Sequence, residues 1–228
     1  MKLTKDLCTI IYYTASQEKD NFEQNVRNKL LEVSGDLPII SVSQKPLNFG
    51  HNICVGDVGV NDDNEWRQVL LGLYEAKTPF VLSAEADALY PPEYFDFVPE
   101  RLDRIYRYNP VWILRTGRPF YLKKDWTEGA QIIGREYFIR LINEGLSGLP
   151  MWNPRNAKDF KSSKQYDKMK PVFNFEKRDW DYFGGPTPVI SVKTGEGMRK
   201  HTGTQVSTKG EYSLPYWGPA VELEKELT

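Results

Sequence analysis

Three apolar runs in the first 95 residues of the chain are separated by segments with helical periodicity. The runs are Leu7 to Tyr13, Leu37 to Val42 and Phe80 to Leu82, each of which lies next to turn-forming residues. Short apolar runs with such boundaries predict buried β-strands. Because strands alternate with helices here, we expect an α/β fold in which a mainly parallel sheet is flanked by helices.

The two segments between these strands carry apolar stripes that predict helices. The stripes consist of Phe22, Val26, Leu30 and Val33 in the first segment, and of Trp66, Val69, Leu70, Leu73 and Tyr74 in the second. Thr14 and Gln17 have the spacing of a capping box, so we expect the first helix to begin there and to end at Gly35. Asp62 or Asp63 is expected to cap the second helix.

The second half of the chain has shorter patterned segments. Val111 to Leu114, Phe120 to Leu122 and Val189 to Val192 predict further strands, and Arg135 to Glu144 predicts a helix that Gly145 ends. We therefore expect the strand and helix alternation to continue through this half.

Two segments lack a clear period. Ser43 to Asn64 contains three glycines and predicts a long loop, either an ordinary surface loop or one that binds a ligand. The tail after Tyr216 ends in charged residues and is expected to fray.

An acidic triplet, Glu85-Ala86-Asp87, follows the strand that begins at Phe80. In an extended chain Glu85 and Asp87 point the same way, roughly 6.6 Å apart. Ligands of open α/β sheets collect outside the carboxyl ends of the strands, where the triplet would lie. A single hard cation could engage both carboxylates, directly or through water. The alternative is a polar turn, but the buried strand before the triplet and Pro91-Pro92 after it favour a functional site.

Composition limits the class of protein. The 228 residues suffice for one sizeable core, and the net charge of -1, from 30 basic and 31 acidic residues, indicates neither a nucleic-acid nor a membrane partner overall. Cys8 and Cys54 are too few for a disulfide scaffold, which fits a reducing cytosol. The amino terminus lacks an apolar run typical of a signal peptide, and no stretch approaches the roughly 18 apolar residues of a membrane span. We expect a single-domain, cytoplasmic protein.

Positive charge is concentrated in two segments. From Arg155 to Arg178 there are eight basic and three acidic residues, with aromatic residues among them. This basic segment is either a solvated surface or a contact for nucleic acid or another polyanion. In the second segment, Lys193, Arg199 and Lys200 lie near glycines and His201, a composition that suits a pyrophosphate.

The order of these features resembles that of glycosyltransferases of the A-type fold, in particular family-2-like enzymes and small glycosyltransferases encoded by bacteriophages. The matching residues are Tyr12-Tyr13-Thr14-Ala15, the acidic triplet with Leu89-Tyr90-Pro91-Pro92 after it, and Lys193 to His201. The resemblance covers the chain to about Gly203. It implies a nucleotide-sugar half over about residues 1–95, an acceptor half over about 96–203, and a tail over 204–228.

The resemblance also implies roles for individual residues. Tyr13, Thr14 and Ala15 would bind the nucleotide of a nucleoside-diphosphate sugar, most simply a UDP-sugar, while Lys193, Arg199 and Lys200 would bind its diphosphate. Glu85 would contact the donor through a cation that bridges the diphosphate. Asp87, Glu85 and His201 would hold Mn²⁺ or Mg²⁺. In inverting members an acidic residue before the last strand is the catalytic base. Glu176, Asp179 and Asp181 all lie there, and we favour Asp179.

Several alternatives stay open. The acceptor is either DNA with a hydroxymethylated base, reached through the basic segment, or a surface glycan or small molecule. If the protein is phage-encoded, its location is the cytoplasm of the host. A second enzyme class is nucleotidyl transfer, although Thr14-Ala15-Ser16 lacks the usual glycine-rich phosphate loop. A third hypothesis is a protein of the same fold that binds nucleic acid or carbohydrate without catalysis. The sequence predicts no oligomeric state.

Overall fold

The computed structural model describes residues 2–159, 180–195 and 206–228, which contain two main β-sheets and four α-helices. The strands are β1 (Cys8–Thr14), β2 (Ile39–Ser43), β3 (His51–Cys54), β4 (Phe80–Glu85), β5 (Ala88–Leu89), β6 (Ile105–Tyr108), β7 (Val111–Arg115), β8 (Tyr121–Lys124), β9 (Gln131–Gly134), β10 (Trp180–Phe183), β11 (Val189–Lys193), β12 (Val206–Glu211), β13 (Ser213–Leu214) and β14 (Gly218–Pro219). The helices are α1 (Asp20–Ser34), α2 (Asp62–Glu75), α3 (Arg135–Gly145) and α4 (Ala220–Leu227).

The first sheet has seven strands in the order β10-β6-β9-β4-β1-β2-β3. Only β9 runs antiparallel to its neighbours, so the sheet is mainly parallel. Every residue of β1 is buried, as expected of a central strand covered on both faces. One face packs against α2 and α3, and the other packs against residues that include Leu30 of α1. The predicted α/β fold, a mainly parallel sheet flanked by helices, is confirmed.

The second sheet has five strands in the order β12-β8-β7-β11-β5. The chain enters it directly from β4, because Ala86 and Asp87 form a turn that leads into β5. Strand β5 then pairs antiparallel with β11, with Leu89 opposite Ile190. The acidic triplet therefore lies where the two sheets meet.

Several local predictions were wrong. The capping box does not form: Thr14 Oγ1 accepts a hydrogen bond from Ser16 N at 2.8 Å in a tight turn, and α1 begins six residues later, at Asp20. The cap of α2 is Asn61, whose side chain accepts a hydrogen bond from Asn64 N at 3.0 Å. The predicted loop contains the edge strand β3, and the expected fraying tail contains α4.

In the part of the chain that the structure describes, no helix is both long enough and apolar enough to cross a membrane.

Candidate functional site

A cavity of about 370 Å³ opens at the carboxyl ends of β1, β2, β4 and β11. Parallel strands bring the residues that follow them to one edge of a sheet, which is where ligands of open α/β sheets bind. The residues that line it include Tyr13, Thr14, Ala15, Glu18, Asn61, Asp62, Glu65, Trp66, Gln68, Glu85, Asp87, Lys124, Trp126, Glu128, Ser191, Lys193 and Thr194.

Glu85 is fixed by contacts on several sides. Its register partner on β1 is Tyr13, whose hydroxyl donates a hydrogen bond to Glu85 Oε1 at 3.1 Å. The backbone N–H of Glu85 donates to the hydroxyl of Tyr90 at 2.8 Å, and this hydroxyl donates to Gly129 O at 2.7 Å. The carboxyl group lies so close to Gly129 that a Cβ atom there would overlap it. Glu85 can thus hold this orientation only beside a glycine.

Asp87 forms an ion pair with Lys193. The distance from Lys193 Nζ to Asp87 Oδ2 is 2.6 Å, and the two side chains are only 20% and 24% exposed. Val192 N donates to Asp87 O at 2.6 Å, which fixes the triplet to β11. The extended geometry predicted for Glu85 and Asp87 is wrong, because Asp87 lies in a turn; both residues nevertheless line the cavity.

The charged side chains of the cavity shift one another's pKa values. Burial raises the pKa of Glu85 to about 7, and the negative charge of Asp87 adds to this shift. Burial, followed by the charge of Glu85, raises the pKa of Glu65 well above its ordinary value. The pKa of Lys124 is lowered by burial and then by the charge of Lys193. Burial also acts to lower the pKa of Lys193, but the nearby carboxylates of Asp87 and Glu85 outweigh it, and that pKa is raised.

Side chains from several elements brace the cavity. Gln68 of α2 donates hydrogen bonds to Thr14 O at 2.8 Å and to Val42 O at 3.1 Å, which joins the ends of β1 and β2. Thr194 Oγ1 donates to Glu18 Oε2 at 2.7 Å and so connects the turns that follow β11 and β1. These hydrogen bonds connect α2, β1 with the turn after it, β2, and the turn after β11 around the opening of the cavity.

Trp126 forms part of the cavity wall, and its ring contacts the side chain of Arg107. The guanidinium of Arg107, a buried residue of β6, lies 4.5 Å from the ring centre of Trp126 and 4.2 Å from that of Trp180. Cation–π contacts of this kind orient an aromatic ring. The wall therefore offers an aromatic surface beside the acidic groups.

The structure brings together six of the residues predicted from the sequence: Tyr13, Thr14, Ala15, Glu85, Asp87 and Lys193. Asp181, predicted as a possible base, lies on the edge strand β10, which β6 and β9 separate from β4. Arg104 binds its carboxylate through two hydrogen bonds, of 2.8 and 3.0 Å, and Asp181 is not among the residues that line the cavity. The other predicted residues, Glu176, Asp179, Arg199, Lys200 and His201, lie outside the described residues.

Sequence reasoning missed Glu65, Lys124, Trp126 and Gly129. Glu65 lies in the first turn of α2, where sequence reasoning assigned a role only to Asp62 and Asp63, as possible caps. Lys124 is the last residue of β8, a short strand of the second sheet, and Trp126 follows that strand. The position of the second sheet beside the first depends on contacts between distant residues. A lone lysine at the end of a short strand carries no pattern that would have identified it.

The donor set of the cavity is compatible with a divalent cation. Within residues 2–159, 180–195 and 206–228, no three histidine, cysteine or acidic side chains form a complete metal cage. Mg²⁺ and similar ions, however, need only one or two carboxylates when substrate phosphates supply further oxygens. Asp87 and Glu85 provide two carboxylates, and the ammonium group of Lys193 already shows that Asp87 Oδ2 accepts a cationic partner.

No protein-family model matches the chain, and no curated protein matches it. Among solved structures, it is similar to TarS of S. aureus in complex with UDP-GlcNAc, with 10% identity and a TM-score of 0.45 over 86% of this chain and 60% of that one. The catalytic domain of Drosophila β1,4-galactosyltransferase 7 with xylobiose gives 13% identity and a TM-score of 0.43, over 89% and 75%.

The bifunctional IspDF of Campylobacter jejuni gives 11% identity and a TM-score of 0.38, over 78% of this chain and 50% of that one. The chain thus spans only half to three fifths of the IspDF and TarS chains. These similarities do not assign it to a family.

Proposed function

We propose that the protein is a glycosyltransferase that moves a sugar from a nucleoside-diphosphate sugar to an acceptor hydroxyl. The observation that carries this proposal is the arrangement at the carboxyl ends of β1 and β4. There, Tyr13, Glu85 and Asp87 share one cavity with Lys124 and Lys193. A nucleoside diphosphate has a flat base and a charged diphosphate, which these aromatic and charged groups suit.

In the proposed reaction, the bond from the sugar's anomeric carbon to the diphosphate oxygen breaks, and its electron pair leaves with the nucleoside diphosphate. The oxygen of the acceptor hydroxyl bonds to the anomeric carbon, and its proton passes to a carboxylate base. Lys193 and Lys124 stabilise the negative charge that develops on the leaving diphosphate. Tyr13, Thr14 and Ala15 bind the nucleotide and orient it.

We propose that Mn²⁺ or Mg²⁺ takes part in binding the donor. Asp87 would hold it, with Glu85 as the second carboxylate and His201 as a further ligand. When bound, such an ion neutralises charge on a leaving diphosphate. Lys193 must release Asp87 for this arrangement to form.

The base and the acceptor are proposed from the sequence. We propose Asp179 as the base, with Glu176 as the alternative, because the carboxylate of Asp181 already binds Arg104 and Asp181 is not among the residues that line the cavity. We propose DNA that carries a hydroxymethylated base as the acceptor. In its support, Asn61 of the cavity rim donates hydrogen bonds to Asn153 O at 2.9 Å and to Arg155 O at 2.6 Å, so the basic segment begins beside the cavity.

Donor binding and slow donor hydrolysis test the proposed function. A panel of nucleoside-diphosphate sugars, with UDP-sugars first, is screened together with UDP by thermal shift with and without Mn²⁺, because a ligand of the folded state raises the melting temperature. Release of free sugar and UDP is then measured without acceptor. We expect Asp87→Asn to abolish the effect of Mn²⁺ on the thermal shift and its effect on donor hydrolysis. Glu85→Gln should weaken both effects less than Asp87→Asn does. If no nucleoside-diphosphate sugar of the panel binds or reacts with the wild type, the proposal is wrong.

The same assay separates the alternatives. A nucleotidyltransferase would consume a nucleoside triphosphate and release pyrophosphate, whereas a protein that only binds would show thermal shifts without turnover. Asp179→Asn should reduce transfer by about 10²-fold or more and leave the affinity for UDP unchanged, because the base removes the proton of the attacking hydroxyl and does not contact the donor.

A further inference from the structure

The ion pair between Lys193 and Asp87 fills the place that a metal ion would take on this carboxylate. Lys193 Nζ is 2.6 Å from Asp87 Oδ2, and both groups are largely buried. The backbone holds the partners together, since Asp87 O accepts from Val192 N and Ala88 pairs with Ser191. An ammonium group and a divalent cation cannot both occupy the same side of one carboxylate oxygen.

We propose that Lys193 is an internal competitor for the cation at Asp87, and that the donor diphosphate displaces it. This inference rests on the proposed function. As the donor binds, the ammonium group of Lys193 exchanges the oxygen of Asp87 for a phosphate oxygen, which leaves Asp87 free to bind a cation. The nucleotide and the cation therefore bind with positive coupling, and each raises the affinity for the other by the same factor. Without nucleotide, the cation binds weakly.

Lys124 provides a matched comparison within the same cavity. Strand register places Lys124 opposite Val111 and Lys193 opposite Arg115, four residues apart on β7, so both side chains leave the same face of the second sheet. Removal of either lysine deletes one positive charge from the cavity wall. Within the described residues, however, Asp87 forms its ion pair with Lys193 and not with Lys124.

The test measures binding of Mn²⁺ alone, by titration calorimetry and electron paramagnetic resonance at fixed ionic strength. The proteins are the wild type, Lys193→Met, Lys124→Met and Lys123→Met, the last of which removes an exposed lysine from the adjacent position of β8. We expect Lys193→Met to raise the affinity for Mn²⁺ about tenfold, a typical coupling between sites. Lys124→Met should raise it by less than Lys193→Met does, since the Lys124 ammonium group does not form an ion pair with Asp87.

A second measurement adds UDP. The affinity for UDP should fall in both Lys193→Met and Lys124→Met, and Lys123→Met should match the wild type. Lys193→Arg keeps a positive charge beside Asp87, so it should keep the weak Mn²⁺ binding of the wild type. If Lys193→Met fails to fold, Lys193→Gln replaces it.

The inference is overturned if the gain in Mn²⁺ affinity in Lys193→Met does not exceed that in Lys124→Met, because the effect is then one of general charge. This outcome is distinguishable from failure of the proposed function, which would appear as an absence of binding of UDP and UDP-sugars by the wild type. The measurement with Mn²⁺ alone requires no donor.

Discussion

At the scale of single residues, the position of the Glu85 carboxyl depends on a neighbour without a side chain. The hydroxyl of Tyr13 and the N–H contact with Tyr90 orient Glu85 from one side, and Gly129 leaves room on the other. Tyr90 connects the two sides, because its hydroxyl also donates to Gly129 O. A side chain at residue 129 would therefore displace the flexible carboxyl group of Glu85 more than it would displace the backbone.

We predict that Gly129→Ala displaces the Glu85 carboxyl and weakens binding of UDP-sugar with little loss of stability. The Glu85 side chain can rotate away from the new methyl group, so the free energy of unfolding in urea should change by about 1 kcal/mol or less. Donor affinity should fall as far as it does in Glu85→Gln. The double variant Glu85→Gln with Gly129→Ala should bind no more weakly than Glu85→Gln alone, since both changes act through the same group. Full additivity of the two losses would contradict this account.

At the scale of elements, the sequence predicted best those strands that are apolar along their whole length. The predictions for β1 and β4 agree with the structure because both strands are buried on both faces and so carry continuous apolar runs. The edge strand β3 is exposed or half-buried throughout and has no such run. Its pairing with β2 depends on a neighbour in the sheet, which local periodicity does not reveal.

Helix α4 was missed for a related reason. Its eight residues are marginal as an isolated helix. Contacts with α1, about 200 positions away, stabilise it: Asn25 donates hydrogen bonds to Glu226 O and Leu227 O at 3.1 and 3.2 Å. Leu223 and Leu227 pack into a cluster that includes Phe22 of α1. These contacts between distant residues explain why a tail that was expected from its composition to fray instead forms a helix.

We predict that Leu223→Ala destabilises the whole protein. Leu223 is 3% exposed, and a buried leucine shortened to alanine costs about 2 to 5 kcal/mol. Val221→Ala on the same helix is the control, because Val221 is 44% exposed and its loss should cost about 0.5 kcal/mol or less. Urea unfolding measures both. A tail that contributes nothing to the folded state would give two equal, near-zero changes.

At the scale of the whole molecule, the site is built from two sheets. The sequence indicated the site residues on β1 and β4 but not those at the end of β8 and after it. The sequence indicates that Tyr13 and Glu85 lie at one sheet edge, because each follows or ends a strand of a mainly parallel sheet and parallel neighbours end on the same side. Lys124 and Trp126 come from the second sheet and the residues that follow its strand β8. The turn at the acidic triplet and the pairing of β5 with β11 position this sheet beside the first. That arrangement is a property of tertiary contacts.

Charge is distributed unevenly over the molecule, although its net value is only -1. The cavity wall is acidic, with Asp62, Glu65 and Glu128 beside the triplet. The basic segment begins next to this wall at Arg155, which is exposed. An acceptor that is itself a polyanion would therefore be held by the basic segment and would present only its reactive group to the acidic cavity.

If DNA is the acceptor, binding must weaken steeply with salt, with a log-log slope of roughly -0.7 to -0.9 for each phosphate contacted. Replacing Lys161, Lys164 and Lys168 together by alanine should flatten this slope by about two to three units and leave donor hydrolysis unchanged. Lys5 and Lys77 precede β1 and β4, at the opposite sheet edge from the cavity, so their replacement should leave the slope unaltered. Filter binding to hydroxymethylated and plain oligonucleotides across a salt series measures both variants. No detectable binding at low salt would favour the glycan acceptor, because counterion release alone should make a true DNA contact visible there.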